Sequence, residues 1–131
     1  MAVDSGLRTI PISGPRDGME LVIRDSMQWR ALWPGLADMP ENVRPIAAVD
    51  FGTDVVVVVA LGQRAGADFV RVYSVVRQSK ITVVHYTASI QVRTCMNRGS
   101  GGMFSTPAVA VRLVRPPGPI LFDRRIIEPA C

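Results

Sequence analysis

The sequence predicts an α+β domain, a mainly antiparallel β-sheet or small sandwich with one main α-helix packed on it. Three stretches carry that expectation. Val55 to Leu61 reads Val-Val-Val-Val-Val-Ala-Leu, an unbroken apolar run opened by Asp54 and closed by Gly62. β-branched residues favour extended backbone, and a run without alternation belongs to a strand covered on both faces. It is therefore the expected centre of a single core. Met19 to Arg24 instead alternates, with Met19, Leu21 and Ile23 opposing Glu20, Val22 and Arg24, as a half-buried strand does. Trp29, Leu32, Trp33 and Leu36 fall on one stripe at helical spacing, which suits a helix laid on a sheet.

At 131 residues the chain suits one domain, 1–131, with its core at about 19–122; a chain of this size buries roughly two thirds of its unfolded surface. Apolar residues make up 48% and charged residues 20%, so the composition is that of a folding chain and not of a disordered one. Fifteen basic residues give a net charge of +4, and all but Lys80 are arginine. They are scattered from Arg8 to Arg125 with one adjacent pair, Arg124-Arg125. Nucleic-acid binding asks for a clustered basic face with stacking aromatics, and the scatter argues against it. No apolar stretch nears the roughly 20 residues that span a bilayer, so a soluble domain without a transmembrane segment is expected. The first six residues show no secretory signal, which fits a cytosolic protein or one whose leader has been removed.

In chain order, Thr9 to Ile12 is an expected edge strand, because Pro11 cannot donate to a ladder. Ser13 to Gly18 is a loop. Asp25-Ser26-Met27-Gln28 has the spacing of a capping box and opens the helix, which Pro34-Gly35 is expected to end or bend near Trp33. Asp38 to Ala48 reads as an irregular excursion able to cover a sheet edge, and Gln63 to Asp68 as a loop. Phe69 to Arg77 and Lys80 to Ala88 form a hairpin about Gln78-Ser79, with Val70, Val72, Ser74 and Val76 on one face of its first arm. In the second arm Ile81, Val83 and His85 oppose Thr82, Val84 and Tyr86. Ser89 to Cys95 extends as a strand, and 97–102 is a glycine-rich loop. Ala108 to Val114 is a strand with Val109, Val111 and Leu113 on one face. Arg115 to Pro119 is a stiff connection, Ile120 to Phe122 a last short strand, and Asp123 to Cys131 a tail.

No residue set marks a reaction. Cys95, Cys131 and His85 are the only thiols and imidazole, too dispersed for a zinc site, so neither metal nor cofactor is expected. His85 in a strand reads as a structural residue, with a nucleophilic Cys95/His85 pair as the alternative. In an oxidising compartment Cys95 and Cys131 would pair as a disulfide, and in a reducing one they stay free. Gly99 to Gly102 lacks the Lys-Ser/Thr ending and the helix of a phosphate loop. Asp50, Asp54 and Asp68 sit where aspartate caps turns. Trp29 and Trp33 are expected in the core, with their N–H groups reaching polar partners, and Phe51 is read as a further structural residue.

The order of these pieces resembles the C-terminal domain family of PrcB, a protease complex subunit. The resemblance is carried by Glu20-Leu-Val-Ile-Arg-Asp25, Gln28-Trp-Arg-Ala-Leu-Trp33, Val49-Asp-Phe51, the valine strand closing on Leu61-Gly-Gln63, Ser105-Thr-Pro107 and Leu121-Phe122. It spans Met19 to Phe122, and Cys95 falls where many members have a cysteine. The chain departs from the family's Pro-Thr-Gly-Gly-Tyr pattern at Arg64 to Phe69, where only Gly66 and Phe69 correspond. The resemblance implies a non-catalytic, bacterial, extracytoplasmic module that binds a partner protein, in the namesake a subtilisin-like protease complex. Loops on a rigid scaffold are the expected contact: Gln63, Arg64, Gly66 and Asp68 in one, Arg98 and Phe104 in another. The alternatives are a small enzyme using Cys95 or His85, and an anion or nucleic-acid binder using Arg93, Arg98 and their neighbours.

Overall fold

A computed structural model describes residues 2–3, 7–15, 17–37, 45–65, 68–90 and 104–127. Its elements in chain order are β1 (Ala2–Val3), β2 (Arg8–Ile10), β3 (Gly18–Ile23), α1 (Ser26–Ala37), β4 (Asp54–Leu61), β5 (Arg64–Ala65), β6 (Phe69–Gln78), β7 (Ile81–Ser89), β8 (Phe104–Ser105), β9 (Ala108–Val114) and β10 (Ile120–Ile127). They form two four-stranded sheets, ordered β1-β6-β7-β10 and β2-β9-β4-β3, with β5-β8 as a small ribbon. The fold is α+β and mainly antiparallel, as the sequence predicts, with β7-β10 a parallel pair.

The valine run is β4, flanked by β3 and β9. Its alternate side chains serve two clusters, which replaces the expected single core. Val55, Val57 and Val59 meet Val72, Val75, Val84, Tyr86, Val111 and Leu113 between the sheets. Val56 and Val58 meet Ile23, Trp29, Trp33, Leu36, Ala37 and Ala110 under the helix. The molecule thus has three layers, and the second sheet is apolar on both faces because both are covered.

Asp25 opens α1 by accepting from the Gln28 amide at 2.8 Å, while the Gln28 side chain reaches back to the Arg24 amide at 3.4 Å. The capping box therefore closes one residue earlier than its usual reciprocal form. Of the two expected outcomes at Pro34-Gly35, an end near Trp33 is overturned: α1 continues through Pro34 to Ala37. Pro34 lies on the exposed side, whereas Leu36 and Ala37 are buried, so burial of the last turn offsets the lost hydrogen bond. The Leu36 carbonyl is capped by the Ser13 amide at 2.6 Å. Trp29 donates from Nε1 to the Ala47 carbonyl at 2.8 Å, and its ring meets Trp33 edge-on at 5.2 Å. Ile46, Ala47, Val49 and Phe51 pack against this cluster, so the described part of the expected excursion covers the helix as well as the sheet.

Four further expectations are corrected. The hairpin turns at Ser79-Lys80, one residue later than read, with Gln78 opposite Ile81. A register shift between Val72 and Ser74 inserts a bulge at Tyr73, so Val75 takes the inward place expected of Val76. The segment after β4 is not wholly a loop: Gly62 adopts φ 80°, turning the chain into β5. The expected tail from Asp123 continues β10 to Ile127, in parallel register with β7 from Ile120 opposite Thr82 to Ile127 opposite Ser89. The proline-rich connection before it passes so close to the hairpin turn that a Cβ on Gly118 would lie 1.8 Å from the Lys80 carbonyl oxygen.

Candidate functional site

At one end of the sandwich, β5 pairs with β8, bringing Arg64 opposite Ser105 and Ala65 opposite Phe104. This joins the two candidate contact segments: Gln63, Arg64, Asp68 and Phe104 lie in one neighbourhood. Arg64 Nε donates to Asp68 Oδ2 at 2.9 Å, with the Asp68 carboxylate almost wholly buried. That pair ties the ribbon to the start of β6, which makes Asp68 a fastening residue. A groove of about 510 Å³ opens beside it, lined by Ile12, Ser13, Asp68, Phe69, Val70 and the 105–108 segment. Ser105 Oγ is buried there without a hydrogen-bond partner among the described residues. Gly66, Arg93, Arg98, the 97–102 loop, Cys95 and Cys131 fall outside the described residues.

The groove meets, at Phe69, the outer face of the first sheet. Cross-strand neighbours share a face, and the register aligns Arg71 with Thr87 and Arg125, His85 with Asp123, and Val83 with Leu121. Phe69, Tyr73, Leu121 and Ile127 are 52%, 48%, 49% and 41% exposed, and no described element covers them. Phe69, Arg71, Tyr73, Thr87, Arg125 and Ile127 line a shallow hollow of about 320 Å³. Neither Arg71 nor Arg125 has a carboxylate partner among the described residues.

His85 is fastened on this face. Its Nδ1 lies 2.7 Å from Asp123 Oδ2, and its ring lies 5.9 Å from that of Tyr73. Ser74 stands opposite His85 on β6, so the row Ser74, His85, Asp123 has the residue types of a nucleophilic triad. No hydrogen bond joins Ser74 to the imidazole, so the contact that activates a serine is not formed. Among the described residues no three His, Cys, Asp or Glu side chains gather as metal ligands would, and no helix is long and apolar enough to cross a membrane.

The other charged clusters are fastenings. Asp54, 3% exposed, accepts from Arg112 Nε at 2.7 Å and Arg8 Nη2 at 3.3 Å. The Arg112 hydrogen bond, helped by the charges of Arg8 and Arg112, holds its carboxyl below the usual range against the opposing pull of burial. Tyr86 donates to the Glu20 carboxylate across the two sheets. Burial, with that acceptor adding to it, pushes the phenol well above its ordinary value. The chain matches no protein-family model, no curated protein and no solved structure.

Sequence reasoning missed Arg71, Tyr73, Leu121, Asp123, Arg125 and Ile127. The signal for β10 was present in Ile120-Leu-Phe at one end and the β-branched pair Ile126-Ile127 at the other. The charges between them concealed it. Alternation from Phe69 and Arg71 already directs Tyr73 outward; the bulge, for which the sequence carries no mark, is what sets Ser74 opposite His85 and turns Val75 inward.

Proposed function

We propose that this domain is a non-catalytic protein-binding module whose contact surface is the outer face of the β6-β7-β10 sheet. The observation that carries the proposal is the uncovered set Phe69, Tyr73, Leu121 and Ile127 around Arg71 and Arg125. Exposed aromatic groups beside arginine are the composition of contact hot spots, and the flanking Leu121 and Ile127 add apolar area around them. The fitting partner is a protein segment that presents apolar side chains with a carboxylate between them, and the end groove at Phe69 extends the contact. The resemblance to the PrcB C-terminal domains supports a protease complex in an extracytoplasmic compartment as the partner class.

A photo-crosslinking residue replacing Tyr73, used in cells that produce the chain, tests this. A discrete protein adduct is expected, and it should be lost on Arg71→Glu with Arg125→Glu while the thermal transition is kept. Absence of any adduct overturns the reading, as does an adduct indifferent to the charge reversal. Substrate turnover abolished by His85→Ala also overturns it, in favour of an enzyme.

A further inference from the structure

β10 ends its sheet, and its second edge has no strand partner among the described residues. At eight residues it is longer than the other sheet-ending strands, β1, β2 and β3, at two, three and six. Exposed edges present unpaired N–H and C=O groups that template further pairing, and proteins commonly blunt them with proline or charged side chains. Ile120 to Ile127 contains no proline, and its charges, Asp123, Arg124 and Arg125, are of both signs, so they repel a foreign edge but can pair with their own counterparts.

The backbone direction can be read from two hydrogen bonds. The carbonyls of Pro119 and Ile127 both point inward to β7, accepting from Thr82 at 3.0 Å and Ile90 at 3.0 Å. In an extended strand alternate residues point their backbone groups to opposite sides. The odd-numbered residues of β10 therefore serve β7, and the amides and carbonyls of Phe122, Arg124 and Ile126 face the open edge.

We infer that this edge pairs with the β10 edge of a second copy of the chain, antiparallel and about a two-fold axis at Arg124, giving a continuous sheet across the dimer. The sequence Leu121-Phe-Asp-Arg-Arg-Ile-Ile127 is complementary to its own reverse in that register. Phe122 meets Ile126 of the other copy, and their outward backbone groups pair. Leu121 meets Ile127, and Asp123 meets Arg125 twice over, once on each side of the axis. Shifting the axis by half a residue would set open-edge backbone groups against groups already spent on β7, and shifting it by a whole residue would set Asp123 or Arg125 against its own counterpart. Arg124 meets its own counterpart at the axis, but each copy lies in a hollow it shares with Glu20 and Tyr86, where the Glu20 carboxylate offsets the like charge. The contact also covers Ile126, the most exposed apolar residue of β10 at 56%. The two outer faces then become one surface.

Sedimentation velocity from micromolar to near-millimolar concentration tests this, with thermal unfolding as a check on each variant. The wild-type chain should move reversibly from 14.2 kDa towards twice that mass. Asp123→Arg alone and Arg125→Asp alone should each raise the dissociation constant about tenfold or more, because opposite-charge cross-strand pairs become like-charge pairs. The double exchange should restore dimerisation, a result particular to this register. Arg124→Pro should give a monomer that still folds, since the amide it removes faces away from β7. If Arg124→Pro does not fold, the charge exchanges decide alone. A chain that stays monomeric at every concentration overturns the inference, leaving the edge to a foreign strand or to solvent. A dimer indifferent to the single exchanges, or not restored by the double one, overturns it as well.

Discussion

The two sheets differ in what lies on their outer faces. The second sheet is roofed by α1, with Trp29 and Trp33 pressed onto Val56, Val58 and Ala110. Among the described residues the first sheet has no such roof, and its outer face mixes Phe69, Tyr73 and Leu121 with Arg71, His85, Asp123 and Arg125. One face is committed to folding. On the other, aromatic and aliphatic side chains remain in water although they contribute little to the core. A cluster of that kind on a rigid sheet is the basis of the proposed contact surface.

The largest test of this difference is Trp33→Ala. Its indole is 2% exposed and sits at the centre of the roof, so truncation should cost about 3–5 kcal/mol, as large-to-small core changes do. Urea unfolding would measure it. A cost below about 1 kcal/mol would mean that the helix only rests on the sheet, and the contrast between the faces would fail.

Next in size is Asp54→Asn, at the margin of the roofed face. Arg8 and Arg112 are each partly exposed and can turn to water, so the loss is that of charged hydrogen bonds, about 1.5–3 kcal/mol. Folding lowers the pKa of this carboxyl from its ordinary 3.8. Its contribution is thus fully present above that value and is lost as pH falls through the lower, folded one. The stability gap between wild type and Asp54→Asn should be level near neutrality and shrink in acid below about pH 4. A gap independent of pH would show that shape, not charge, is what Asn fails to supply.

The same contrast explains what could be read from the sequence. β4 was legible because coverage on both sides leaves no place for a polar residue between Val55 and Leu61. The paired tryptophans were legible because their spacing permits only one buried stripe. β10 was hidden for the opposite reason. An edge strand with a solvated face accepts Asp123-Arg124-Arg125, and those charges read locally as a tail. The Tyr73 bulge and the course of α1 past Pro34 are tertiary outcomes: one extra residue in a ladder, and a last turn held by Leu36 and Ala37. The candidate contact segments were half legible. Turn residues located Gln63 to Asp68, but the pairing of Arg64 with Ser105 joins residues far apart in the chain.

Between the two faces lies the Tyr86 to Glu20 hydrogen bond, and Tyr86→Phe should cost about 1 kcal/mol. Folding raises the phenol's pKa from 10.0. The neutral phenol therefore contributes fully below that value, and its contribution declines as pH rises above it towards the folded pKa. Wild type should lose stability in that alkaline range more steeply than Tyr86→Phe. Equal slopes in a pH series of melting curves would place the hydroxyl outside the folding balance.

The smallest expected effect is the most telling for the open face. Tyr73→Thr and Leu121→Thr introduce β-branched side chains that suit a strand while removing apolar surface that no described element covers. Each should change unfolding free energy by no more than about 0.5 kcal/mol, the range of ordinary surface substitutions. If these residues serve contact, the same two changes should abolish the protein adduct of a crosslinker placed at Phe69, with the urea midpoint almost unmoved. If they serve the fold, the order reverses: the midpoint falls and the adduct persists in whatever fraction remains folded. Only the first outcome is compatible with the proposed division of labour, in which the second sheet is roofed by α1 and the outer face of the first meets a partner.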